Sequence, residues 1–247
     1  MVNHLYVVDV DTHRWRAMLD LRWRTDVLPS PDGTLLALVS HDEIRLMDRD
    51  GSNLRTIFTY APKDAQDLSS PAGRARWAAD NRSIRFVVPA TNPFNRPAEL
   101  TTIWDIPTDG AAPSIVAHVP GQYMVFLSPD ASQLAYARPP EPDMAFSSGE
   151  THLMNLATGE DRLYFKGRGS FVDWGLDSKH FVFWLDEEPN YYLGNIESAF
   201  LAPLTHSSLY WVDNEYFLYQ DNGLRLGTVG QPGILIDEQA MGFRFVR

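Results

Sequence analysis

The sequence contains no cysteine. Disulfide frameworks, thiolate metal sites and thiol nucleophiles are excluded together. Basic residues are scarce: 21 Lys and Arg stand against 32 Asp and Glu, a formal net charge of −11. A field of that sign repels a phosphate backbone, so no nucleic-acid partner is expected. Long apolar runs are missing too, and none approaches the roughly 18 residues that a membrane-spanning helix needs. Met1 runs almost at once into a strand-like stretch, His4–Asp9, without the basic and apolar segments of a signal peptide. With 44% hydrophobic and 12% aromatic residues, the chain has the means to bury a sizeable core and falls outside the disordered and collagen-like classes. At 247 residues the expectation is one domain spanning 1–247, as a whole protein or a piece of a longer one.

What is present is a repeat. Its clearest copy begins with a turn signal, Ser30-Pro-Asp-Gly33, followed by the apolar run Leu35–Val39 and then Ile44–Met47. Proline presets φ, aspartate bonds back to the local backbone, and glycine accepts a positive φ. Asp48-Arg-Asp-Gly-Ser52 is a second turn, leading to Leu54–Phe58. The same grammar recurs after Asp80, Asp130, Asp177 and Asp213, each followed four residues later by an apolar residue that opens a strand. The Asp residues are separated by 48, 50, 47 and 36 positions. Third strands end at Asp9, Asp48, Asp105, Asn155 and Asn195, with Leu224–Gly227 a weaker copy, and a fourth strand follows each. No amphipathic helical stretch competes with this pattern. Four short strands per repeat at this period define an all-β chain of β-propeller type. Five complete sets run from Asp26 to Asp237. The run at Gly242–Val246 and the two strands at the other end are expected to share a sixth blade and close the ring, although that blade shows no second strand.

Ser30-Pro-Asp-Gly33 with Ile44–Asn53, and Phe126-Leu-Ser-Pro-Asp130 with Leu134–Tyr136, resemble the WD-repeat-like units of TolB-type bacterial propellers. Such units also recur in the propellers of prolyl-oligopeptidase-type enzymes. Trp77-Ala-Ala-Asp80 and Trp174-Gly-Leu-Asp177 keep the aromatic residue and the aspartate but lose Ser-Pro. The resemblance implies the fold and points toward the periplasm or cell surface, with a cytoplasmic location left open. It carries no activity, because this fold hosts many.

In a four-stranded antiparallel blade, the second-to-third loop and the blade-to-blade loop leave from one end. The long connections Thr59–Arg74, Pro89–Leu100, Arg138–Glu150 and the shorter Asp186–Asn190 all belong to that end. Loops of such length in a compact domain are often functional. The expected binding surface therefore comprises Tyr60, Phe94, Arg96, Met144, Phe146 and Glu187, stiffened by prolines and rimmed by Glu141, Asp143, Glu150 and Asp186. It suits a protein or peptide partner of basic or neutral character bound by a monomeric domain.

Catalytic signatures are not found. The seven histidines show no HExxH and no pair at ligand spacing, so neither metal nor cofactor is expected. His152 reads as a structural histidine on a third strand. Asp48–Asn53 begins like a calcium loop, but position twelve is Thr59 and no helices flank it, so it reads as a strand-to-strand turn. Gly167-Arg-Gly-Ser170 lacks the final glycine of a nucleophile elbow. Asp26 and Asp173 read as ordinary capping or solvated carboxylates, and they are also the acids that a catalytic central channel would gather. Three classes of function stay open: a non-catalytic recognition or scaffold propeller, the accessory or gating propeller of a multidomain serine peptidase, and a channel-centred metal-dependent hydrolase.

Overall fold

Each aspartate-centred turn reverses the chain between two β-rich runs, so antiparallel meanders are the natural product. A computed structural model of the protein describes residues 3–22, 25–60, 75–89, 100–120, 125–138, 149–186, 191–204, 209–220, 222–228 and 231–238. All regular structure among them is strand. The chain divides into two compact units, residues 1–92 with 99–121 and residues 93–98 with 122–247.

The first unit opens with a hairpin, β1 (Asn3–Asp9) and β2 (Arg14–Leu21), which is a two-stranded sheet among the described residues. Two four-stranded antiparallel sheets follow. One holds β3 (Asp26–Pro29), β4 (Leu35–Val39), β5 (Glu43–Asp48) and β6 (Arg55–Thr59). The other holds β7 (Ala75–Trp77), β8 (Ser83–Val88), β9 (Leu100–Pro107) and β10 (Ser114–Pro120). The second unit contains three more such sheets. They are β11 (Val125–Leu127), β12 (Gln133–Arg138), β13 (Gly149–Asn155) and β14 (Asp161–Gly167); β15 (Gly169–Trp174), β16 (His180–Leu185), β17 (Tyr191–Asn195) and β18 (Ser198–Leu204); and β19 (Leu209–Trp211), β20 (Tyr216–Gln220), β21 (Leu224–Thr228) and β22 (Gln231–Asp237). Every sheet is ordered sequentially, first strand to fourth. The five complete sets read from the sequence are thus present between Asp26 and Asp237. Gly242–Val246 lies outside the described residues, and with it the expected closing strand.

The turns hold the repeat together. In the first complete sheet the Ser30 hydroxyl donates to Asp32 Oδ1 (2.6 Å) and accepts from the Leu35 amide (3.0 Å). The same Asp32 oxygen accepts from the Thr34 amide and hydroxyl, at 3.0 and 2.8 Å. Gly33 supplies the positive φ of 70° that this tight reversal demands. Ser128, Asp130, Ser132 and Gln133 repeat the network bond for bond. There Ala131 occupies the glycine position at φ 58°.

Neighbouring sheets within each unit are joined by a pair of directed bonds. Trp77 Nε1 donates to the Leu28 carbonyl at 3.0 Å, and the Asp32 amide donates to Asn81 Oδ1 at 3.1 Å. In the second unit Trp174 Nε1 donates to the Phe126 carbonyl at 3.0 Å, and the Asp130 amide donates to the Ser178 hydroxyl at 3.0 Å. Trp77 and Trp174 are 5% and 4% exposed, each at the end of a first strand and bonded to the preceding sheet.

Alternation along the strands builds the cores. Ala37, Val39, Ile44 and Leu46 meet Trp77, Ile84, Phe86 and Ile106 in the first unit. Ala135 and Leu153 meet Phe171, Trp174, Phe181 and Phe183 in the second. Phe181 is paired across the strands with Gly194, and a Cβ on that glycine would stand 2.4 Å from the ring.

Candidate binding surface

Because the strands of each sheet alternate in direction, second-to-third connections and sheet-to-sheet connections leave from the same end. The first sheet shows how short such a connection can be. Ser40 closes it: its amide and hydroxyl both donate to the Glu43 carbonyl at 3.0 Å, and the hydroxyl also reaches Asp42 Oδ1 at 3.0 Å. The corresponding connections after β8, β12 and β16 span 89–99, 139–148 and 186–190, and the one from β6 to β7 spans 60–74. The opposite end carries compact turns. At Asp48–Asn53 the Gly51 amide donates to the Asp48 carbonyl (2.9 Å), and the Ser52 hydroxyl and Asn53 side-chain amide bond to Asp50 and Asp48. This is the strand-to-strand turn expected there, and Asp9 Oδ1 caps the Asp11 and Thr12 amides in the same way.

Of the six residues expected to make the binding surface, Phe94, Arg96, Met144, Phe146 and Glu187 lie outside the described residues, as do Glu141 and Asp143 of the rim. Tyr60 is described. Its amide donates to the Asp42 carbonyl at 3.0 Å and its hydroxyl donates to the Ser40 carbonyl. The ring stacks on Phe58 at 6.0 Å and meets Phe86 at 4.9 Å. Burial, aided by the Asp42 carboxylate, pushes its hydroxyl well above the usual tyrosine range. Tyr60 therefore ties the connection to the core as a neutral donor.

Rim charges that are described have partners within the chain. Arg22 reaches Asp42 Oδ2 at 3.1 Å and Glu43 Oε1 at 3.5 Å. Glu150 pairs with Lys166 at 3.0 Å, and the Lys166 ammonium holds its carboxyl below the ordinary value. Asp186 lies 3.4 Å from Arg168 NH1, and its amide donates to the Arg168 carbonyl. Ion pairs open to solvent on one partner's side add little to stability. Their effect at a rim is to reduce the acidity it offers a partner.

A buried polar group on β12–β14 was only partly visible in the sequence. His152, 7% exposed, stands opposite Tyr136 with its ring stacked at 5.3 Å. Its Nδ1 is 3.1 Å from Asp161 Oδ1, and Nε2 is 3.6 Å from Glu150 Oε2. Asp161 also accepts the Tyr136 hydroxyl at 2.7 Å. Burial, followed by that bond and the carboxylate charge, raises the Tyr136 hydroxyl pKa. The cluster fastens three strands side to side, the structural role read for His152. Among the described residues no group of three or more His, Asp or Glu side chains is placed to hold a metal ion. Asp26 is exposed at the start of β3, and Asp173 Oδ1 accepts the Trp174 amide at 2.8 Å. No helix is long and apolar enough to cross a membrane, among the described residues.

The fold has many counterparts among solved structures. One is the β-propeller domain of the trilobed protease from Pyrococcus furiosus, with a TM-score of 0.62 at 13% identity over 96% of this chain and 77% of that one. Oligogalacturonate lyase from Vibrio parahaemolyticus gives 0.67 at 11% identity, over 98% and 73%. Acylaminoacyl peptidase from Pyrococcus horikoshii gives 0.63 at 14%, over 98% and 42%. The chain thus spans less than half of that peptidase. No protein-family model matches the sequence, and no match is found among curated proteins. At these identities the likeness is one of fold: the chain is of the β-propeller class, with sheets β3–β22 as its four-stranded blades.

Proposed function

We propose that the protein is a non-catalytic recognition propeller that binds a protein or peptide through the end of its blades carrying the long connections. The observation that supports this reading is topological. Within each unit the extended connections leave from one end of the sheets, while the other end is trimmed to tight aspartate turns. Binding residues concentrate on loops held by a rigid scaffold, and the Trp and Asn/Ser bonds between sheets supply that rigidity. Phe94, Met144 and Phe146 are the apolar anchors in this reading, with Arg96 and Glu187 as polar neighbours. The finer architecture belonging to it is six blades, Gly242–Val246 serving as the innermost strand of the blade begun by β1 and β2. The Ser-Pro-Asp-Gly signature shared with TolB-type propellers supports a periplasmic or cell-surface location. Affinity capture from the native source with the intact chain, beside a chain in which 90–99 and 139–148 are replaced by short Gly/Asn turns, tests the reading. A partner retained equally by both proteins would sink it.

A further inference from the structure

Asn222-Gly223 is the one asparagine–glycine step in the sequence. It falls in the connection 221–223 between β20 and β21, where Gln220 and Leu224 are paired across the two strands. As a second-to-third connection it belongs to the loop-bearing end of its sheet. Asn222 is exposed at a φ of 45°, and Gly223 follows at 120°. An asparagine carboxamide is a neutral electrophile, and the backbone nitrogen of the next residue is its nearest nucleophile. A following glycine leaves that nitrogen without an adjacent Cβ to crowd the approach.

The other turns guard themselves against this chemistry. Asn53, Asn81, Asn155 and Asn195 each precede a larger residue than glycine, and each holds its carboxamide in a hydrogen bond. The aspartate–glycine turns are protected in a different way. The Gly33 amide donates to the Ser30 carbonyl at 2.8 Å, and the Gly51 amide donates to the Asp48 carbonyl at 2.9 Å. Bonds from Ser30 and Thr34 hold the Asp32 carboxyl below its ordinary pKa, as bonds from Ser52 do for Asp50. Both side chains therefore stay ionised, and a carboxylate resists nucleophilic attack.

We propose that Asn222 is a site of spontaneous covalent modification, at which the folded chain converts asparagine to isoaspartate and aspartate. Solvent base takes the Gly223 amide proton, and the nitrogen attacks Asn222 Cγ. The Cγ–Nδ2 bond breaks, the departing nitrogen takes a proton from water, and ammonia leaves. Water then opens the five-membered succinimide at either carbonyl, so one water is consumed for each ammonia released. Opening at one carbonyl gives aspartate. Opening at the other gives isoaspartate, whose main chain runs through the former side chain and is one atom longer. The turn has no room for that atom, because a Cβ on Gly223 would already stand 2.5 Å from the Asp237 carbonyl oxygen and 3.0 Å from Glu238 Cα. Isoaspartate should therefore loosen the pairing of β21 with β22, and either product adds a negative charge at the loop-bearing end. The inference does not depend on the proposed binding function.

The test ages the full chain in mildly alkaline buffer at physiological temperature. Electron-transfer mass spectrometry locates the change, and methyl transfer by an isoaspartyl methyltransferase counts isoaspartate. The expected result is a gain of one mass unit at residue 222, at least tenfold faster than at Asn53, Asn81, Asn155 or Asn195, mostly as isoaspartate. Asn222→Gln, which would need a six-membered ring, should stay unmodified over the same period. The aged fraction should melt below the parent and exchange its amides faster over residues 231–237. Asn222→Asp carries the charge without the extra atom and accepts the same positive φ, so it should melt with the parent. No gain at residue 222, or an equal rate at the other four asparagines, overturns the site. An isoaspartate fraction that melts with Asn222→Asp overturns the loosening.

Discussion

Trp174 offers the sharpest test of how the blades are held together. The residue is 4% exposed and ends β15, with its ring 4.9 Å from Phe171 and 5.6 Å from Phe181. Its Nε1 donates to the Phe126 carbonyl of the preceding sheet. Replacement by alanine removes the burial of a large ring and leaves a cavity, a loss of about 3–5 kcal/mol for residues of this size. Trp174→Phe keeps an aromatic ring but strands the Phe126 carbonyl, and an unpaired buried acceptor costs about 1–3 kcal/mol. Against a total stability of roughly 5–15 kcal/mol, the alanine variant loses a large share. Its thermal midpoint should fall by about 6–20 °C, at about 2–4 °C per kcal/mol for a chain of this length. Guanidinium denaturation followed by circular dichroism measures both variants. An alanine variant within about 1 kcal/mol of the parent would refute the latch, because no buried, bonded tryptophan is removed that cheaply. Equal losses for Phe and Ala would instead assign the whole effect to the indole hydrogen bond.

Two glycines should respond differently to the same change. Gly33→Ala meets nothing within 4 Å and costs only the positive φ, about 1 kcal/mol, whereas Gly194→Ala drives a methyl into the Phe181 ring and should cost about 1–3 kcal/mol or more. Denaturation midpoints that rank the two in the reverse order would contradict the described register. Burial raises the Asp130 carboxyl, but bonds from Ser128, Ser132 and Ser178 outweigh it and hold the pKa below the ordinary value. That stabilisation is present above the ordinary carboxylate pKa of about 3.9 and is lost as pH falls through the lowered value. The stability gap between the parent and Asp130→Asn should therefore be wide near neutrality and shrink on acidification. A gap that stays constant with pH would show that the ionised form is not what the turn uses.

Much of this architecture was legible because its signals are local. Asp48, Asn155 and Asn195 end third strands where their turn chemistry places them, and the Ser-Pro-Asp runs at 30 and 128 build identical networks. The bonds between sheets were not legible. Asn81 and Ser178 stand at positive φ in the position of Gly33, yet their side chains serve turns 49 and 48 residues earlier in the chain. Period-two alternation assigns residues to a face without saying which sheet that face meets. For the same reason Tyr60, read as a surface anchor, is also bonded to Ser40 and Asp42 of the β4–β5 connection, and Tyr136, His152 and Asp161 meet across strands in a way that spacing alone does not show. Of the loop end only the strand ends that flank the long connections are described, on one end of each sheet, and the chemistry expected there rests on residues outside the described set.

Binding at the loop-bearing end, as proposed, should draw on a few apolar anchors, since such anchors dominate interface energetics. The direct measurement is the affinity of the captured partner for the parent, for Phe94→Ala/Phe146→Ala, and for a control altered at the tight-turn end, Asp50→Ala/Asp109→Ala. At least tenfold weaker binding is expected for the double phenylalanine variant, with an unchanged thermal midpoint, and parent-like affinity for the control. Parent-like affinity in the phenylalanine variant together with loss in the aspartate control would place the site at the opposite end of the blades.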